Sequence, residues 1–117
     1  MIVSMKLTTH ILDTAHGRPA EGLALTLTRL SDGVVLKRAV TNADGRVDQP
    51  LLEGAAFQFG TYELMFSVGD YFRSLGLVLP DPAFLDQVPI RFGISENRHY
   101  HVPLLVSPFS FSTYRGS

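Results

Sequence analysis

The sequence predicts an all-β domain, a sandwich of short antiparallel strands. Turn signals recur roughly every 10 to 15 residues, close to the spacing expected of short strands. They are His16-Gly17-Arg18-Pro19, Ser31-Asp32-Gly33, Asn42-Ala43-Asp44-Gly45, Phe59-Gly60, Gly69-Asp70, Asp81-Pro82, Ser95-Glu96-Asn97 and Ser107-Pro108. Between them lie short runs rich in Val, Leu, Ile, Thr and Phe, the residues that fit a pleated, half-buried surface.

The elements follow in order. The first strand is expected over 6–13. The second covers 23–30, where Leu23, Leu25 and Leu27 alternate with Ala24, Thr26 and Thr28. Further strands are expected over 34–41, 61–68, 87–93, 99–106 and 109–115, and a brief one over 46–48 brings the count to eight. The one expected helix covers 70–77, with Asp70 as its N-cap. No repeat, linker or low-complexity segment divides the chain, so residues 1–117 are expected to form one domain.

Composition narrows the function classes. A chain of 117 residues with 45% hydrophobic content can fill a core unaided. The absence of cysteine excludes disulfides, thiolate metal sites and a cysteine nucleophile. The formal charge is -1 and no run of Lys or Arg occurs, so the footprint of a nucleic-acid binder is missing. No apolar stretch approaches the roughly 20 residues of a membrane span. Residues 1–6 lack the pattern of a secretory leader, and the expected location is cytoplasmic.

Strand periodicity orients the titratable side chains. In the first strand Leu7, Thr9 and Ile11 form the natural core side, so Thr8, His10 and Leu12 point away from it. In 99–106 the set Tyr100, Val102, Leu104 and Val106 is the better core face, which turns His99 and His101 outward. In the last strand Phe109 and Phe111 are the core candidates, leaving Ser112 and Tyr114 outward. His10, His101, Ser112 and Tyr114 then share one polar patch if these strands are neighbours, an order that alternation does not supply. The same outer face carries Leu12, Pro103 and Leu105. A face mixing apolar residues with histidines is expected to be buried against another subunit, with a pocket at the contact.

The same residues carry a resemblance. Leu7-Thr8-Thr9-His10-Ile11-Leu12-Asp13 followed by Gly17-Arg18-Pro19-Ala20 resembles the N-terminal signature of the 5-hydroxyisourate hydrolases of the transthyretin-related family. Asn42-Ala43-Asp44-Gly45-Arg46-Val47 resembles their arginine-bearing turn. His99-Tyr100-His101-Val102-Pro103-Leu104-Leu105, Ser107-Pro108 and the closing Tyr114-Arg115-Gly116-Ser117 resemble their C-terminal signature. The chain departs from the pattern at Ser110 and Phe111, where Gly and Tyr are more usual. Transthyretin itself, in this comparison, has lysine and threonine at the positions of His10 and His101 and lacks the terminal tetrapeptide.

The resemblance implies a transthyretin-like sandwich of two four-stranded antiparallel sheets with one short helix. It implies a homotetramer, a dimer of dimers, with active sites where dimers meet. It implies hydrolysis of 5-hydroxyisourate to 2-oxo-4-hydroxy-4-carboxy-5-ureidoimidazoline, with no metal or organic cofactor. Opening a cyclic amide needs an activated water, a stabilised oxyanion and a proton for the leaving nitrogen. His10 and His101 suit the first and third tasks because histidine titrates near neutral pH; which takes which is open at this point. Arg46 can offer two parallel hydrogen bonds to developing negative charge. Tyr114 and Ser117 would complete the pocket.

Each residue also has a plainer reading. A strand histidine is often a solvated or satisfied side chain, Arg46 could be a solvated arginine after a turn, and a C-terminal Arg-Gly-Ser could be a frayed tail. His16 is read as structural and His99 as a partner to His101. Two other functions compete: a passive carrier of small aromatic ligands, and a metal-dependent hydrolase using His10, His99 and His101.

Overall fold

The structure is a computed structural model and describes residues 5–116. Among the described residues eleven short strands build two packed layers of sheet. The first layer is one antiparallel sheet of four strands: β4 (Ala24–Arg29), β5 (Val34–Val40), β7 (Gly60–Ser67) and β8 (Gln87–Ile94), in the order β5-β4-β7-β8. Its alternation is regular. Leu23, Leu25 and Leu27 face inward with Tyr62, Leu64 and Phe66 of β7 and Val88 and Ile90 of β8, all buried. Burying each such side chain is worth about 1.5–3 kcal/mol, which is why alternation alone locates these strands.

The second layer departs from the expected plan. The first expected strand is two, β1 (Lys6–Thr8) and β2 (Ile11–Asp13), and the segment 99–106 is likewise two, β9 (Tyr100–His101) and β10 (Leu104–Val106). Here β1 lies between β9 and β6 (Leu52–Glu53), while β2 lies between β10 and β3 (Arg18–Pro19), with β11 (Phe111–Thr113) on the outer edge. The layer is therefore two hydrogen-bonded sheets of three and four strands. Pro103 separates β9 from β10 because it has no N–H for the ladder. The chain nevertheless stays in register across the gap, through Val102 N–H to Thr8 O at 3.0 Å and Leu104 N–H to His10 O at 2.9 Å. The layer is also not wholly antiparallel. β1 pairs with β9, and β2 with β10, in parallel. Parallel neighbours need a long crossover, and here the entire other layer is threaded between them.

Three further expectations are corrected. The helix α1 covers Val68–Ser74 with Ser67 at its N-cap, so it starts before Asp70. Val68 and Gly69 are buried and Gly69 N–H donates to Asp86 O at 2.9 Å, which draws the first turn into the fold. Asp70 sits inside that turn, where a carboxylate is still favoured by the helix dipole. Residues 46–48 form no strand; Arg46 makes a single antiparallel bridge to His10. Phe109 and Phe111 are 62% and 43% exposed and are not core. They precede and begin β11, which lies at the edge of its sheet. Thr8, His10 and the set Tyr100, Val102, Leu104 and Val106 face as alternation requires.

At the far end of β2 the fully buried Asp13 accepts hydrogen bonds from Tyr71 Oη at 2.7 Å, His16 Nδ1 at 2.7 Å and His16 N at 3.0 Å. Burial pushes its carboxyl up, but these bonds and the His16 charge outweigh that and hold it below the usual carboxylate range. His16 is thereby accounted for as a structural residue. No helix among the described residues is long and apolar enough to cross a membrane.

Candidate active site

The site is built where β1 meets β9. Parallel register sets Thr8 beside His101, and alternation turns both toward the same outer face. Thr8 Oγ1 lies 2.9 Å from His101 Nδ1 and 3.2 Å from His99 Nε2. One hydroxyl thus joins two imidazoles, and the Nε2 edge of His101 is left for the cleft.

Arg46 reaches the same place from a tight turn. Asn42 Oδ1 accepts from Asp44 N at 2.9 Å and Arg46 N at 3.1 Å, and Asn42 N donates to Arg46 O at 2.8 Å. Gly45 closes the turn at φ 73°, a left-handed conformation that favours glycine. A side chain there would also run into Ile11 O and lie 3.1 Å from Pro19 Cβ. This packing, with Ile11 N–H donating to Gly45 O at 2.8 Å, anchors the turn to β2 and places Arg46 opposite His10. Arg46 therefore rides on a fixed backbone.

Arg46 and His101 line one cleft of about 460 Å³, together with Thr8, Val47, Gln49 and His99. That volume is within the usual range for small-molecule sites. Burial pushes the His101 imidazole below the usual histidine value, and the charges of Arg46, His10 and His99 press in the same direction. The neutral form of the His101 imidazole is accordingly favoured. His10 is half-buried beside Arg46 but does not form the wall of this cleft. Tyr114, 60% exposed, lines a different cavity of about 210 Å³ with Phe92, Tyr100 and Arg115. Tyr114 is not among the residues that line the cleft of Arg46 and His101. Ser112 lies opposite Leu105, which lies opposite Leu12, on the outer face expected for it. Ser117 lies outside the described residues.

The C-terminal segment returns to the site. Gly116 N donates to His101 O at 2.7 Å, and a Cβ at Gly116 would stand 2.8 Å from the ring Cδ2 of His101 and 3.1 Å from its Cβ. The bare glycine lets the main chain lie against the imidazole. Gly116→Ala is expected to push the ring off Thr8 and lower turnover by about tenfold or more, since small misplacements of a reacting group are costly. A crystal structure of the variant, read beside its rate, checks this: an unmoved ring with an unchanged rate would contradict it.

Alternation turns His10 and His101 outward, and of these His101 lines the cleft; it does not single out Thr8, Gln49 or Gly116. Thr8 was legible only as a face-mate of His10, because its partnership with His101 depends on parallel register. Among the described residues no group of His, Asp or Glu is arranged to hold a metal. The nitrogens His99 Nε2 and His101 Nδ1 instead face the Thr8 hydroxyl.

Comparison with known proteins follows this geometry. The profile of the HIUase/Transthyretin family matches residues 7–116, nearly all of the chain and every element of the site described. The chain belongs to that family. Among family relatives it is 64% identical over 120 residues to a protein named 5-hydroxyisourate hydrolase 2 of Rhizobium meliloti (strain 1021), covering all of both chains. Among solved structures it resembles 5-hydroxyisourate hydrolase of Klebsiella pneumoniae, with a TM-score of 0.82 and 38% identity over 97% of this chain and 99% of that one. It also resembles (S)-allantoin synthase, with a TM-score of 0.93 and 48% identity over 98% of this chain. The chain spans 44% of that larger protein. The transthyretin-like sandwich is thus the family's fold, with its second layer hydrogen-bonded as two sheets.

Proposed function

We propose that the chain hydrolyses 5-hydroxyisourate, opening its six-membered ring at an amide carbonyl to give 2-oxo-4-hydroxy-4-carboxy-5-ureidoimidazoline, without a metal or organic cofactor. The observation that carries this reading is that Arg46 and His101, far apart in sequence, line one cleft in a chain of this family. The names of its relatives point to the same substrate.

The chemistry follows from the residues. A water beside His101 Nε2 gives up a proton as its oxygen bonds to the carbonyl carbon. The Arg46 guanidinium donates to the oxygen on which charge develops. The carbon–nitrogen bond then breaks and the leaving nitrogen takes a proton. His101 is the base in this reading, because it lines the cleft and is held neutral. His10, beside Arg46, binds substrate from the rim.

The active form is a homotetramer, a dimer of dimers. Supporting this, β8 and β11 are edge strands with unpaired backbone, and Phe109, Phe111 and Tyr114 stand exposed near one of them. Tyr114 and Ser117 complete the pocket from a neighbouring subunit. The test is direct. Purified protein should speed the decay of freshly generated 5-hydroxyisourate above its spontaneous rate, before and after exhaustive chelation. No acceleration would reject the reading, activity lost on chelation and regained with zinc would favour a metal site, and tight retention of the ligand without turnover would mark a carrier.

A further inference from the structure

The contacts of Thr8 have a consequence beyond orientation. A threonine hydroxyl has one proton and two lone pairs, so Thr8, in contact with both ring nitrogens, can donate to one imidazole while accepting from the other. In one arrangement His101 Nδ1–H donates to Oγ1 and Oγ1–H donates to His99 Nε2. In the second, His99 Nε2–H donates to Oγ1 and Oγ1–H donates to His101 Nδ1. For a neutral His101 the first leaves Nε2 with a bare lone pair, a base. The second leaves Nε2 carrying hydrogen, an acid.

We propose that Thr8 and His99 form a proton relay that converts His101 from base to acid within one turnover. This rests on the hydrolase reading above. His101 Nε2 takes a proton from the attacking water as the oxygen–carbon bond forms and the carbonyl electron pair moves onto oxygen. His101 Nδ1 passes its proton to Thr8 Oγ1, and Oγ1 passes its own to His99 Nε2. His101 is then neutral with hydrogen on Nε2, and the positive charge rests on His99. In the second half Nε2 gives its proton to the leaving nitrogen as the carbon–nitrogen electron pair moves there and the carbonyl reforms. The relay runs back, from His99 to Thr8 to His101 Nδ1, and the starting state returns. The net transfer is one proton from water to the leaving nitrogen.

The setting favours this route. Burial and the nearby Arg46 and His10 charges oppose a cation on His101 itself. His99 is only half-buried, so a charge there keeps some solvent. Along the same face, Lys6 and the opposing Glu53 form the next step of β1 and β6. Thr8 and His99 act through His101 and are positioning residues.

The test uses the full chain with Thr8→Val, Thr8→Ser and His99→Phe. Valine matches threonine in shape and keeps the packing of a half-buried position. Thr8→Val is expected to lower kcat about tenfold or more with KM within twofold, and Thr8→Ser to recover most of that loss. Rates in mixed light and heavy water should curve with deuterium fraction in the wild type, where several protons move, and become linear in Thr8→Val and His99→Phe. Nitrogen-15 spectra should show the His101 tautomer change in Thr8→Val whether or not substrate is turned over. Wild-type protein without hydrolysis would remove the hydrolase reading, while the spectra still judge the hydrogen-bond geometry. Active wild type with Thr8→Val at full kcat, or with Thr8→Ser as impaired as Thr8→Val, would overturn the relay alone.

Discussion

Replacing His101 by Asn is expected to lower kcat/KM for 5-hydroxyisourate by about 10²- to 10⁴-fold, the usual contribution of a positioned acid–base group. That corresponds to about 3–5 kcal/mol of barrier. Asparagine keeps the side chain short and polar and can still meet Thr8, so the cleft is preserved while the titrating nitrogen is lost. The wild-type pH profile supplies the second half of this prediction. Because burial, Arg46 and the neighbouring histidines lower the His101 pKa, the neutral base persists to lower pH than for a free imidazole. The acid limb of kcat/KM should therefore lie below the ordinary value of about 6.5, with the rate falling as pH drops through the folded-state pKa. In His101→Asn that limb should vanish. A rate near wild type, or a limb unchanged by the substitution, would assign the base elsewhere, with His10 the first alternative.

Arg46→Gln is expected to cost about 10²-fold or more in kcat, in line with removal of a donor aimed at a developing oxyanion. Arg46→Lys keeps the charge but loses the planar fork and should fall between Gln and wild type. The two variants separate charge from geometry through a different readout. Arg46 is one of the charges holding His101 down, so Gln should move the acid limb upward, toward the free-imidazole value, and Lys should leave it nearly in place. Steady-state kinetics from about pH 4.5 to 8 would show this. Equal limbs in all three proteins would mean that Arg46 and His101 do not share a field, contrary to the cleft they line.

The mixed outcome of the expectations has a physical cause in each case. Residues 23–30 read correctly because both neighbours of β4 lie in the same layer and one face is wholly buried, so alternation is enforced along the strand. Phe109 and Phe111 misled because large apolar side chains read as core wherever they occur, yet β11 is an edge strand and both rings stay exposed. The helix began early because burial of Val68 and Gly69 outweighed the preference for an acidic cap. At the site, the side of the strand on which His10 and His101 stand was legible, and so was the glycine-bearing turn that presents Arg46.

Side-chain direction is a local property: a period of two residues settles it, and no knowledge of the rest of the chain is needed. Adjacency is not local. That β1 runs parallel to β9, so that Thr8 meets His101, is set only when the intervening strands have folded into the opposite layer. Whether Gly116 lies on the imidazole depends on how the last strand closes against that frame. The residue types suited to the chemistry are thus written in the chain, while the distances that let them act together come from packing between segments more than ninety positions apart.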